Sequence, residues 1–308
     1  MTTLKLTLGA AFALGAALTL SGCGQDAAPT DTAGAAPAGN TSAPPVVIYT
    51  NADEEAQVAM KNALDKNGLK GAYLMQGFGT SELGGKLVAE GTNIEADVVT
   101  ISILCEESTY YLESLQKQKS MFLPLEGKVQ TINPTPDYYA PILGLSGSLF
   151  VNTQVLKDDG LKAPASIEDL ADPAYAGHIA VPDIMGSSTS WLMTQAMIAE
   201  KGEEAGAAVI RQIEKNAGAH LEKSGSGPLK KIRAGEVAVG FGLRHQAVAD
   251  KAKGLPIDFI DPNEGNFTLM EAAAVVNKGE KTNPNAQKVV QTIIQFGRTF
   301  PSWHLNSV

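Results

Sequence analysis

The chain has 308 residues, of which 44% are apolar and 19% charged, and it carries a formal net charge of −9. That acidity argues against a nucleic-acid partner, because binding a phosphate backbone needs a basic face. An acidic protein can still take a small anion, provided the donors are local and preorganised.

The N-terminus reads as a targeting segment. Lys5 supplies a positive charge, Leu8–Leu20 is apolar and Ala-rich, and Leu20-Ser-Gly-Cys23 follows. The apolar run is too short for a convincing membrane span. Leu-Ser-Gly-Cys resembles the bacterial lipobox, which implies that Cys23 is the lipid-modified first residue of the mature protein. Residues 1–22 are then a signal peptide, and losing Lys5 takes the net charge from −9 to −10. Cys105 is the only other cysteine, so a lipid on Cys23 leaves no intramolecular disulfide. Residues 24–45 are Ala, Pro, Gly, Thr and Ser with almost no large apolar side chain. Such composition predicts a flexible tether, giving residues 23–45 as a lipidated linker. About 260 residues remain, enough for one large or two moderate lobes.

Val46–Thr50 predicts a buried strand, and Asn51-Ala-Asp-Glu leads into a helix that stops at Asn67-Gly68. Gly77-Phe-Gly-Thr-Ser-Glu-Leu-Gly-Gly-Lys-Leu-Val88 is a Gly-rich turn into a second helix, and Ala96–Ile101 is the next strand. This β-α-β-α-β order implies parallel strands with a ligand crevice at their C-terminal ends. Thr50, Ser81 and Ser102 are expected near one rim. Nucleotide readings of the Gly-rich turn fail. Lys86 is followed by Leu87 where a phosphate-binding loop needs Ser or Thr, and Glu82 stands where the dinucleotide fingerprint needs its third Gly.

Residues 103–145 read as irregular, with tyrosine pairs at 110–111 and 138–139 and prolines at 134, 136 and 141. Gly147–Thr153 predicts a crossing strand. In Pro164–Leu170, Ser166 stands three before Asp169, close to a capping box. A strand at Ile179–Val181 then runs through Pro182 and Gly186 into Ser187-Ser-Thr-Ser190 and a helix that reaches about Ala199. A helix start leaves up to four backbone N–H groups without partners and carries about half a positive charge. With Ser187, Ser188 and Thr189 this makes a candidate oxyanion cradle, although the same residues serve as ordinary N-caps. After a helix carrying Val209, Ile210 and Ile213, Ser224-Gly-Ser226 opens a second hydroxyl-rich helix start, with Pro228 suited to the first helical position. Gly235–His245 predicts a strand ending in the basic pair Arg244-His245. Ile257–Ile260 is a short strand, Pro262–Gly265 a turn toward Glu271–Val276, and Asn283 begins a last helix through Ile294.

These landmarks, in order, resemble a family. Ala-Asp-Val-Val is followed by Phe-Val-Asn-Thr, Ser-Ile-Glu-Asp-Leu-Ala-Asp-Pro-Ala-Tyr-Ala-Gly, Ala-Gly-Glu-Val-Ala-Val-Gly, Asp-Pro-Asn-Glu-Gly and Asn-Pro-Asn-Ala. The set resembles the extracellular solute-binding proteins of ABC importers, in the group with ferric-binding and aminoethylphosphonate-binding proteins. It covers roughly residues 46–295 and implies an α/β, two-lobed periplasmic-binding-protein fold of type II, with the ligand between lobes joined by crossing strands. Lobe one is expected at 46–147 plus 262–308 and lobe two at 148–261. Phe296–Leu305 departs from the family's usual terminal helix.

The ferric-binding members use an adjacent tyrosine pair from lobe two, and the matching place here, Val239–His245, has none. The histidines 178, 220, 245 and 304 show no ligand spacing. Arg244 in that place offers a planar fork for a phosphonate, phosphate or carboxylate, and Gly-Phe-Gly-Leu-Arg-His-Gln resembles the aminoethylphosphonate branch most closely. Set beside Thr80-Ser81, Ser187–Thr189, Ser224 and Ser226, Arg244 and His245 complete an anion site. Arg244 reads equally as one half of a surface salt bridge.

A zwitterion needs a second pole, for which Asp53, Asp183, Glu264 and Glu271 are candidates, with Tyr49, Tyr110 and Trp191 as walls. The expected protein is a monomeric, lipid-anchored binding protein of the periplasm or cell surface, with no cofactor and no metal, delivering 2-aminoethylphosphonate to a permease. The rival within the class takes an inorganic oxyanion such as phosphate, sulfate or selenate, and ferric iron is a further one. Hydrolase motifs such as Gly-x-Ser-x-Gly are missing, so an enzyme is not expected. A phosphoester-processing enzyme would need a metal cluster or a nucleophile–base pair.

Overall fold

Val46–Thr50 forms strand β1, and four of its five side chains are buried. The computed structural model describes residues 43–127 and 135–299, all within the unit spanning 38–308, with side chains at 103–111 and 296–299 left undescribed. The expected signal peptide, Cys23 and nearly all of the tether lie outside the described residues. Three residues after β1 ends, Asp53 caps helix α1 (Glu54–Leu64), its Oδ1 accepting from the Ala56 N–H at 2.9 Å. Strand β2 (Tyr73–Gly77), helix α2 (Thr80–Glu90) and strand β3 (Val98–Leu104) follow, and β1 pairs in parallel with both strands.

The stretch expected to be irregular holds a helix, a short strand and the start of a long one. Helix α3 (Cys105–Lys119) buries Leu112 and Leu115, but the polar run Glu106–Thr109 hides its apolar period in the sequence. After β4 (Phe122–Leu123), strand β5 spans Ala140–Asn152 and so begins well before Gly147. Pro141, which reads as a breaker, sits where the pairing register shifts opposite Glu271 and Ala272. A bulge is one of the few places where a paired strand tolerates proline.

The chain continues through α4 (Thr153–Asp158), β6 (Ile179–Pro182), α5 (Ser188–Lys201), α6 (Glu203–Ala217), β7 (Leu221–Glu222) and α7 (Gly227–Arg233). It closes with β8 (Val239–Leu243), α8 (Arg244–Ala252), β9 (Ile257–Ile260), β10 (Thr268–Val276) and α9 (Ala286–Thr299). The expected capping box is present: Asp169 N–H donates to Ser166 Oγ at 3.1 Å, and Ser166 N–H donates to Asp169 Oδ2 at 3.1 Å. Helix α9 continues past Ile294 through Phe296-Gly-Arg-Thr299, and later residues are not described.

Strand order is β2-β1-β3-β10-β5-β8-β6-β7, with β4 beside β10 and β9 beside β5. β5 is the hinge of this topology. Its first half, residues 140–146, pairs antiparallel with β10, and residues 147–152 pair with β8 and β9. The β9–β10 connection runs back alongside, so two crossings join a β2-β1-β3-β10 lobe to a β8-β6-β7 lobe. In the first lobe, Val98 and Val99 point to opposite faces of the sheet. One face packs Ile48, Met60 and Leu64 with Val289 and Ile293 of α9, and the other packs Leu83, Leu87, Ile101 and Phe122. Each such side chain contributes about 1.5–3 kcal/mol on full burial. These cores hold the strand ends rigid where the two lobes meet.

Candidate functional site

At the meeting of the lobes lies a cavity of about 370 Å³. From the first lobe it takes the turn after β1 (Asn51–Glu54), the start of α2 (Phe78–Thr80), Ser102 of β3 and Glu271 of β10. From the second lobe come the start of α5 (Gly186–Thr189) and the turn Ser224–Ser226, while Leu145, Leu243 and Leu269 supply the apolar lining.

Asn51 locks the first-lobe wall. Its Nδ2 donates to Thr80 Oγ1 and Ser102 Oγ, each at 2.9 Å, and its Oδ1 accepts from the Ser102 N–H at 2.9 Å. Three chain segments are thereby tied at one point. Across the cleft, Ser188 meets the same cluster: its N–H donates to Thr80 Oγ1 at 3.3 Å and its hydroxyl to Ser102 Oγ at 3.3 Å. Ser187 is the N-cap of α5 and accepts from the Thr189 N–H at 3.2 Å. At α2 the N-cap is Gly79, which has no side chain to cap with, so the first backbone N–H groups of that helix face the cleft uncapped by Gly79. Close backbone packing holds the two starts together: a Cβ on Gly186 would come within 2.8 Å of the Lys223 carbonyl oxygen, and one on Gly79 within 3.5 Å of the Gly186 oxygen.

Further contacts close the cleft from outside. Lys230 of α7 pairs with Glu54 at 2.7 Å, Arg233 with Glu55 at 3.1 Å, and Gln246 of α8 donates to Glu55 at 2.7 Å. Ser81 donates to the Met185 carbonyl. These contacts tie the two lobes together at the lip of the cavity.

The cavity carries negative charge. Asp53, Glu54, Glu82 and Glu271 line it against one cation, Lys230, which Glu54 engages. Glu271 is 2% exposed, and among the described residues nothing hydrogen-bonds to its buried Oε2. Burial, and then the charge of Asp53, push its carboxyl up to about 8. Asp53 behaves oppositely. Burial alone would raise it, but His245, 3.5 Å from its Oδ2, and the Ala56 N–H hold it below the usual carboxylate range. Two neighbouring carboxylates are thus driven apart, one ionised and one protonated at neutral pH.

Of the sequence-predicted residues, the structure brings Asp53, Thr80, Ser102, Ser187, Ser188, Thr189, Ser224, Ser226 and Glu271 to the cavity wall. His245 stands behind Asp53 as its partner and does not line the cavity. Arg244 is a correction. Helix α8 begins at Arg244, which turns the guanidinium away from the cleft, where it pairs with Asp261 through Nε at 2.9 Å and Nη2 at 3.2 Å and lies 4.2 Å over the Phe259 ring. The expected anion fork is half of a salt bridge.

Other expected residues also lie off the wall. Thr50 Oγ1 is buried, accepting from the Ala52 N–H and the Thr100 hydroxyl. Asp183 accepts from the Met185 N–H at 2.9 Å, and Glu264 accepts from the Ile167 and Glu168 N–H groups at 3.0 Å each, bracing a turn. Tyr49 donates to Glu95 at 2.9 Å, Trp191 is partly buried outside the lining, and the Tyr110 side chain lies outside the described residues. Sequence reasoning missed Asn51, Gln57, Phe78, Gly225 and Lys230. Asn51 and Phe78 flank predicted elements at the strand ends where the topology places ligands, and that was the available signal.

The sequence profile of the bacterial extracellular solute-binding proteins matches residues 110–296. The chain belongs to that family. This solute-binding protein is 29% identical over 216 residues to an Fe(3+)-binding periplasmic protein of Serratia marcescens, a match covering 68% of the chain and 59% of the relative's length. Among solved structures it resembles the periplasmic binding protein AfuA from Actinobacillus pleuropneumoniae, which has fructose-6-phosphate bound. The TM-score is 0.68, with 21% identity over 82% of this chain and 80% of that one. A periplasmic thiamin binding protein gives a TM-score of 0.67 at 17% identity, covering 88% and 85%. The fold is that of the periplasmic binding proteins, and the solute-binding protein is of the kind that takes a small molecule in the periplasm and delivers it to an ABC permease.

Proposed function

We propose that this solute-binding protein captures a small zwitterion, an aminoalkylphosphonate of the 2-aminoethylphosphonate kind, and delivers it to an ABC permease. One observation carries the reading. Two buried carboxylate groups, those of Asp53 and Glu271, share a cavity with two helix starts lined by Thr80, Ser187, Ser188 and Thr189. The helix starts suit the phosphonate oxygens, and the carboxylates suit the ammonium. A bare dianion fits poorly, because it brings no cation to the cavity and meets the ionised Asp53, and one such repulsion near 4 Å costs about 4 kcal/mol at an effective dielectric of 20. This favours the zwitterion over phosphate, sulfate or selenate. The hydroxyl chain Asn51–Thr80–Ser188–Ser102 joins the lobes only when they are closed, and a ligand bridging it biases the equilibrium toward that state.

The same reading makes the protein a monomeric binder and not an enzyme, held at the membrane by a lipid on Cys23 and a tether reaching to Pro45. Calorimetric titration with 2-aminoethylphosphonate, phosphate, selenate and ferric citrate tests it. Saturable heat with 2-aminoethylphosphonate is expected; none with it, and a clear isotherm with another, overturns the proposal.

A further inference from the structure

We propose that Glu271 holds a proton in the empty cleft and gives it up to solvent as a ligand's ammonium group arrives, so that capture exchanges one positive charge for another. The inference rests on the zwitterion reading and adds to it a proton released on binding.

The geometry leaves Glu271 no resident cation. On its own sheet it stands opposite Ser102 of β3 and Leu143 of β5, both uncharged. The turn before α1 presents Asp53, a like charge, and α8 presents His245 to Asp53 from the other side. Of the other charges around the cavity, Glu54 is committed to Lys230 and Glu55 to Arg233, which also forks onto the buried Asp250, while Glu82 of α2 adds a further negative charge to the lining. Among the described residues, neither a hydrogen bond nor an ion pair reaches Glu271 Oε2. A buried carboxyl beside an ionised one stays neutral until a cation is supplied.

The exchange balances. The Glu271 O–H bond breaks and its proton leaves to solvent. The ligand's ammonium then donates to the carboxylate, and the net charge of the cavity floor is unchanged. The lobes therefore close over a neutralised pair rather than an unpaired charge, which a dry interior does not tolerate. A neutral or purely anionic solute of the same size offers no such exchange. Selection for an amine thus lies in Glu271 as much as in the hydroxyl cradle.

Infrared difference spectroscopy of the wild-type protein at pH 7, bound minus empty, reads the step directly. Saturating 2-aminoethylphosphonate should abolish the carbonyl stretch of a protonated carboxyl, and ethylphosphonate, which lacks the amine, should leave it in place. Glu271→Gln should lack the change. In lightly buffered solution the wild type should release more protons per ligand than Glu271→Gln, by up to about one, the ligand's own phosphonate ionisation being common to both. If the variant does not fold, the wild-type spectra decide alone. Binding of 2-aminoethylphosphonate with the band intact, or an equal band loss in Glu271→Gln, overturns the proton exchange and leaves the ligand reading standing. No binding of 2-aminoethylphosphonate overturns both.

Discussion

Gly225 is the position at which a single methyl group should disable the hydroxyl cradle. Its backbone is not in the left-handed region, so the effect of Gly225→Ala is steric alone. The new Cβ would overlap Thr189 Oγ1, lie 3.0 Å from Thr189 Cβ and come within 3.2 Å of Ser187 Oγ. Thr189 must rotate or the Ser224–Ser226 turn must retreat, an overpacking cost of about 1–3 kcal/mol in stability. Hydrogen bonds to a charged group are worth about 1.5–3 kcal/mol each. Losing one of them predicts affinity for 2-aminoethylphosphonate falling roughly 10- to 150-fold. Titration calorimetry measures the affinity and a thermal melt the stability. Gly85→Ala is the matched control, since nothing lies within 4 Å of its added Cβ, and it should bind as wild type does. Wild-type affinity and melting in Gly225→Ala would refute the packing argument and move the ligand away from α5.

Two further outcomes follow from the placement of charges. Arg244→Ala should leave ligand affinity within about threefold of wild type and cost up to about 1 kcal/mol in urea unfolding, the range for a solvated ion pair. A large loss of affinity would return the guanidinium to the cleft. The second concerns pH. A carboxyl raised from 4.5 to about 8 binds a proton in the folded state where the unfolded chain has released it. Glu271 therefore makes the empty protein lose stability as pH rises from 4.5 to 8, by at most about 1.4 kcal/mol per unit. Asp53, lowered in the fold, acts in the opposite sense and only in acid, where its contribution is lost as pH falls. Urea unfolding of Glu271→Gln minus wild type should show a difference that grows between pH 5 and 8, and parallel curves would count against the buried neutral carboxyl.

Much of this architecture was legible in the sequence because local signals agreed with the fold. Period, caps and turn residues marked β1, α1, α2, β3 and β6, and Ser187 caps α5 where the hydroxyl cluster stands. The misses had physical causes. Pro141 reads as a strand breaker but lies at a bulge that only the pairing with β10 creates. Arg244 looked like a strand-end ligand because nothing in the sequence marks the helix start at that residue, nor brings Asp261 and Phe259 against it. Glu271 and Asp183 were equal candidates on sequence. They differ in the fold because β10 runs between β3 and β5 and delivers Glu271 to the cavity floor, whereas Asp183 turns back on its own loop. Long-range pairing decides such cases, and no local pattern encodes it.

The zwitterion claim is tested most directly by the affinity of the wild-type protein for 2-aminoethylphosphonate against that for ethylphosphonate, measured by calorimetry at pH 7. The two ligands share the phosphonate and differ in the amine that Asp53 and Glu271 are placed to hold. An ammonium buried against carboxylates is worth about 2–5 kcal/mol on deletion of one partner. The account predicts ethylphosphonate weaker by at least about 30-fold. Equal affinity for the two would contradict it.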